Sequence, residues 1–118
     1  MTRPLPPRVF LVGPMGSGKT TLGRRAAKLL GMAFIDCDEE IERRTGASVN
    51  LIFDIEGEAG FREREARLLA ELAGSEGLLV ATGGGVVTGE ANRAVLKDSG
   101  LVVWLPTSVQ QQLRRLEM

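Results

Sequence analysis

Gly13-Pro14-Met15-Gly16-Ser17-Gly18-Lys19-Thr20 is the stretch whose reading decides the fold. It fits G-x-x-x-x-G-K-[ST], a loop whose backbone cradles phosphate groups. On its N-terminal side, Val9-Phe10-Leu11-Val12 is an apolar run of strand length. On its C-terminal side, the segment to Leu30 reads as a helix with Leu22, Ala26, Leu29 and Leu30 on one face. Gly13, Gly16 and Gly18 permit positive φ and leave no Cβ between backbone and ligand. Successive N–H groups can then converge on one anion. The loop runs into a helix N-terminus, whose unpaired N–H groups and partial positive charge favour phosphate. In this pattern Lys19 reaches the β- and γ-phosphates, and the Thr20 hydroxyl ligates Mg2+. The expected ligand is a nucleoside triphosphate.

Further along, apolar strand candidates alternate with helical patterns, the signature of a parallel α/β sheet. Strands are expected at Ala33 to Asp36, Leu78 to Thr82 and Leu101 to Leu105. Helices are expected at Asp38 to Arg44, Ser48 to Ile55 (Val49, Ile52 and Phe53 inward), Glu58 to Ala73 and Glu90 to Asp98. Thr107-x-x-Gln110 reads as the capping box of a last helix, whose stripe Leu113, Leu116 runs to Met118. No repeat or low-complexity segment interrupts this order.

A length of 118 residues suits one small domain, and 43% hydrophobic content is ordinary for a globular chain. No apolar run is long enough to span a membrane. Met1 to Pro7 holds three prolines and no apolar segment of a signal-peptide kind, so residues 1–7 read as a disordered lead-in to a domain over 8–118. Fifteen basic residues balance fifteen acidic ones, which excludes a global field for nucleic acid or a membrane surface. The single Cys37 rules out an internal disulfide and suits a reducing cytoplasm. Histidine is absent, so a general base must be Asp, Glu or Lys, and a zinc site is excluded in practice.

Three further constellations carry chemistry. Asp36-Cys37-Asp38 falls where the second strand runs out, at the sheet edge where ligands bind. If the chain is extended there, the two carboxylates point to opposite sides, one toward Mg2+ and phosphates, the other toward a second substrate. Asp38 also suits a helix N-cap, and Cys37 suits packing. Phe61, Leu68, Leu69 and Leu72 form an apolar stripe in which Glu65 falls, three residues after Arg62. A buried glutamate holding an arginine would preorganise a fork for carboxylate; a solvated charged face is the alternative. Gly83-Gly84-Gly85 follows a strand at once, which suits close approach of a ligand or a plain tight turn. Arg114 and Arg115 are weaker candidates for stacking on a nucleobase.

Taken together, these pieces resemble shikimate kinase, a P-loop family of the nucleoside monophosphate kinase-like group. The matching runs are Gly13 to Thr20, Ile35-Asp36-Cys37-Asp38, Arg44-Thr45-Gly46, Ile52-Phe53 with Gly57-Glu58, Phe61-Arg62 with Glu65, and Gly83-Gly84-Gly85 with Val87-Thr88. They cover nearly the whole chain in family order. The resemblance implies a three-layer α/β/α fold with a central parallel sheet, of which four strands are present and the family's fifth is missing. It implies ATP-dependent phosphorylation of the shikimate 3-hydroxyl, with Mg2+, on the route to chorismate and aromatic amino acids. Carried over by position, Gly13, Met15, Gly16, Ser17, Gly18, Lys19, Thr20, Thr21 and Arg115 bind ATP. Thr20 and Asp36 hold the metal, and Lys19 and Asp38 are catalytic. Asp38, Arg62, Gly83, Gly84 and Gly85 bind shikimate, and Glu65 orients Arg62. Family members run some tens of residues further, through a lid with an arginine, a second arginine for the shikimate carboxylate, the fifth strand and a closing helix. The expectation is therefore a truncated chain, cytoplasmic and monomeric, with no nucleic-acid or membrane partner. A gluconate kinase-like enzyme and a non-catalytic ligand-binding remnant are the alternative readings.

Overall fold

Alternation along the strands sets up two cores. In a computed structural model of the chain, which describes residues 6–13, 19–83, 86 and 89–105, β1 spans Arg8–Val12. Successive side chains of a strand point to opposite faces. Phe10 and Val12 therefore enter one core, and Val9 and Leu11 the other. After β1 come α1 (Lys19–Leu30), β2 (Ala33–Asp36), α2 (Cys37–Thr45), α3 (Val49–Leu72), β3 (Leu78–Ala81), α4 (Glu90–Ser99) and β4 (Leu101–Trp104). The sheet is parallel, in the order β2-β3-β1-β4.

That order dictates the layers. A crossover between parallel strands is right-handed, so its direction across the sheet decides the face its helix takes. The step from β1 to β2 runs one way, and those from β2 to β3 and β3 to β4 run the other. Accordingly α1 packs with Val9, Leu11 and Leu79 on one face through Ala27. Helices α2, α3 and α4 pack on the opposite face, where Phe10, Val12, Leu78 and Val80 meet Ile41, Ile52, Phe61, Leu68, Leu69, Leu72 and Leu96. Each large apolar side chain so buried contributes roughly 1.5–3 kcal/mol. The expected α/β/α sandwich with a central parallel sheet is what the chain forms, with four strands among the described residues.

Local signals explain the boundaries. Ser48 caps α3 by accepting from the Leu51 N–H at 3.1 Å. Gly46, at φ 73°, ends α2 and returns its N–H to the Glu42 carbonyl. Within the span of α3 the two expected helices meet at Gly57. Gly57 alone leaves helical geometry, at φ 74° and ψ 177°. Ile52 is buried as expected, but Phe53 lies at the surface, its ring against Phe61 at 4.7 Å between centroids.

The inward face of α1 differs from the expected one. Leu29 is 86% exposed, and Leu22 and Leu30 are also on the surface. The buried residues are Gly23 and Ala27, with Ala26 packed beside them. The reason is close approach. A Cβ on Gly23 would stand 2.5 Å from Phe34 Cε1 and 3.1 Å from Leu11 Cδ1. The helix seats its smallest residues on the sheet and leaves its leucines at the flanks. Trp104 is 62% exposed on the edge strand β4. The lead-in is tied down at its end, where the Pro7 carbonyl accepts from the N–H groups of Gly77 (2.7 Å) and Leu78 (3.3 Å).

These contacts give a paired expectation. Gly23→Leu should destabilise the chain by about 1–3 kcal/mol through overpacking, although leucine is the better helix former. Leu29→Ser, a far more polar change on the same helix, should stay within about 0.5 kcal/mol. Urea denaturation of both variants checks the assignment of the α1 face.

Candidate functional site

Because all four strands run the same way, their C-terminal ends share one edge of the sheet. Gly13 follows β1 there, Asp36 ends β2, Thr82-Gly83 follow β3 and Leu105 follows β4. Gly13 takes no left-handed φ. A Cβ on it would overlap the Leu105 carbonyl oxygen, so glycine serves close approach of β4 at this position rather than positive φ. The Leu105 N–H donates to the Val12 carbonyl at 2.7 Å, holding the two strand ends together. Of the expected phosphate cradle, Met15, Gly16, Ser17 and Gly18 lie outside the described residues, as do Gly84, Gly85 and Arg115 and the helix expected after Thr107.

The first turn of α1 carries Lys19, Thr20 and Thr21. Lys19 Nζ donates to the Gly13 carbonyl at 2.6 Å, which folds its side chain back toward the end of β1. Burial lowers its pKa, while the negative charges of Asp38 and Asp36 pull the other way. Thr20 Oγ1 donates to Asp36 Oδ2 at 2.6 Å, joining α1 to the end of β2. The other oxygen of Asp36 accepts from the Glu39 N–H at 3.1 Å. Asp36, not Asp38, is thus the N-cap of α2, because its extended backbone (φ −99°, ψ 121°) aims the side chain at the first turn.

The helix begins at Cys37, so the expected extended arrangement of Asp36 and Asp38 on opposite sides does not form. Both carboxylates act on Lys19. Cys37 between them is buried in the core, and burial together with the surrounding carboxylates pushes its thiol pKa far up. It is a packing residue, as its sequence context suggested. Asp38 Oδ1 is buried and finds no hydrogen-bond partner among the described residues. Burial is the largest cause raising the Asp38 pKa, followed by Asp36 and Glu42, with Lys19 opposing.

Helix α3 brings the third component. Glu65 falls in the apolar stripe as expected and is only 2% exposed. Burial and the neighbouring Asp38 charge push its pKa up to about 7, against the pull of Arg62. The carboxylate that Arg62 grips among the described residues is Glu58, at 2.9 Å from its Nε to Oε1. The charges of Asp38 and Arg62 both act on Glu65. The i,i+4 spacing of Glu58 and Arg62 is the sequence signal of that pair. The role of Thr82 had no sequence signal. Buried after β3, it donates both its N–H (3.0 Å) and its Oγ1 (2.8 Å) to the Leu11 carbonyl, which locks the start of the glycine run to β1.

The donor chemistry suits Mg2+. Thr20 Oγ1 and Asp36 Oδ2 are hard oxygen ligands on adjacent elements. Mg2+ is held by one or two protein oxygens, with waters and phosphates completing its shell. Among the described residues no group of three or more His, Cys, Asp or Glu side chains forms an all-protein cage. No helix among them is long and apolar enough to cross a membrane.

Comparison with known proteins agrees with this geometry. A family model described as shikimate kinase matches residues 15–118. The shikimate kinase of Halorhodospira halophila is 61% identical over 93% of the chain. That of Acinetobacter baylyi is 58% identical over 92%. The chain spans 62% and 61% of those relatives' lengths. A solved structure of shikimate kinase from Acinetobacter baumannii in complex with shikimate matches with a TM-score of 0.85 and 55% identity, covering 92% of this chain and 61% of that one.

The buried Glu65 makes stability depend on pH. Its carboxyl keeps its proton in the folded chain up to about pH 7 and loses it near the ordinary 4.5 when unfolded. The folded state therefore binds more protons between these values. The contribution is complete below 4.5 and is lost as pH rises through about 7. The unfolding free energy from urea denaturation should fall as pH rises across that window, by about 3 kcal/mol. Glu65→Gln should flatten the profile.

Proposed function

The chain belongs to the shikimate kinase family, and on that premise we propose that it transfers the γ-phosphoryl group of ATP to the 3-hydroxyl of shikimate. The products are ADP and shikimate 3-phosphate, in the route to chorismate and aromatic amino acids. The observation that carries the proposal is Asp38 Oδ1, a buried acceptor at the sheet edge with no donor among the described residues, close enough to Lys19 to act on its charge. Buried polar atoms are paired in folded proteins, and an acceptor left open here is available to a bound partner. A substrate hydroxyl supplies that donor.

In this reading Lys19 releases the Gly13 carbonyl, reaches the β- and γ-phosphates and meets the charge that develops during transfer. Gly13, Met15, Gly16, Ser17, Gly18, Thr20 and Thr21 complete the nucleotide cradle, and Arg115 flanks the adenine. Thr20 and Asp36 hold Mg2+, which when bound neutralises charge on the phosphates. Asp38 accepts the hydrogen bond of the attacking hydroxyl, aligns its lone pair with the phosphorus and takes its proton as the O–P bond forms. Arg62 pairs with the substrate carboxylate, with Glu65 beside it, and the backbone of Gly83, Gly84 and Gly85 lines the gap between substrate and γ-phosphate. Phosphoryl transfer asks for positioning and charge neutralisation rather than a covalent catalyst. A chain without histidine has the groups it needs.

The same reading treats residues 8–118 as one kinase domain, cytoplasmic and monomeric. Its balanced charge supports neither a nucleic-acid nor a membrane partner.

A coupled assay of ADP release on the 118-residue chain tests the proposal. Turnover should require both shikimate and Mg2+, and Lys19→Met or Asp38→Asn should lower kcat by roughly 10²–10⁴-fold. Phosphorylation of gluconate but not shikimate would overturn the substrate. Calorimetric binding of ATP and shikimate without turnover would favour a ligand-binding remnant.

A further inference from the structure

Gly83 follows β3 where Asp38 of α2 and Glu65 of α3 arrive from different helices. Its φ is not left-handed, so its backbone conformation is open to any residue. What excludes a side chain is the space around its α-carbon. A Cβ there would overlap Glu65 Oε2 and lie 3.1 Å from Asp38 Oδ1. We propose that Gly83 is a positioning residue, whose missing side chain is the space that seats the Asp38 and Glu65 carboxylates against the end of β3.

The backbone side of this contact is held in place. Behind Gly83, Thr82 is held by two hydrogen bonds to the Leu11 carbonyl. Just beyond, the Val86 N–H returns to the Gly83 carbonyl at 3.2 Å. In front, Glu65 lies between Phe61 and Leu69 in the buried stripe of α3, and Asp38 Oδ1 is itself buried. An added methyl group therefore acts on the carboxylates, which are side-chain ends, rather than on the sheet. It turns Asp38 away from the attacking hydroxyl and pushes Glu65 along α3. This role is separate from any hydrogen bond the glycine backbone gives a substrate. It rests on the proposed role of Asp38 as the group that orients the hydroxyl.

The test is Gly83→Ala, alone and combined with Glu65→Asp, in the 118-residue chain. Gly83→Ala should melt close to the parent and bind ATP with unchanged affinity. Its kcat/KM for shikimate should fall by about 10–100-fold, the scale of a small misplacement of a reacting group. Glu65→Asp shortens the carboxylate by one methylene and clears the methyl group. The double variant should thus lose less than the product of the two single losses, by a factor of roughly three or more. Activity of Gly83→Ala equal to the parent, or single losses that simply multiply, would overturn the proposal. The side-chain carboxyl 13C signals of Asp38 and Glu65 give a readout independent of turnover. Both should move in Gly83→Ala, and unmoved signals overturn the positioning role whether or not the chain is active. If the signals move while the parent fails to phosphorylate shikimate, the positioning role stands and the substrate assignment falls.

Discussion

Parallel pairing of β1 with β3 on one side and β4 on the other is the constraint on which the rest of this structure depends. It sends every strand end to one edge of the sheet. It also places β3 between β1 and β2, so that Thr82 and Gly83 after β3 lie between the end of β1 and the Asp36 corner. Right-handed crossovers then put α1 on one face and stack α2, α3 and α4 on the other. The site is built where these layers meet, from the first turns of α1 and α2, the middle of α3 and the end of β3.

The electrostatics of that meeting point are unusual for a protein of zero formal charge. Asp36, Asp38 and Glu65 lie close enough to shift one another's neighbours, and the described cations facing them are Lys19 and Arg62. Burial raises the carboxyl pKa values of Asp38 and Glu65. Such an arrangement is costly for folding, and groups kept against that cost are characteristic of working sites. By contrast, the ion pairs of the outer surface, such as Arg24 with Glu39 and Arg67 with Glu63, are exposed and locally satisfied. They contribute little to stability.

Much of this was legible in the linear chain. The strand and helix boundaries fell within a residue or two of the expected ones, because apolar periodicity and caps such as Ser48 are local signals. The buried place of Glu65 was legible too, since a carboxylate at i+4 from Phe61 and i−4 from Leu69 has nowhere else to go in a helix. The face of α1 was not. Hydrophobicity pointed to its leucines, but the depth of approach to Phe34 and Leu11 selected Gly23 and Ala27. Nor was the partner of Arg62, because two acidic residues stood within helical reach and packing alone separated Glu58 from Glu65.

The sequence by itself determined the family, the α/β class and the identity of the chemical groups. These reside in short runs whose spacing is read without knowing which strand neighbours which. Only the tertiary structure decided that Thr20 bonds Asp36, that Asp36 rather than Asp38 caps α2, and that Asp38 and Glu65 converge on the bare α-carbon of Gly83. Those contacts join residues 16, 27, 45 and 18 positions apart or set the backbone at a helix start. Their geometry follows from strand order and packing depth, which no local pattern encodes.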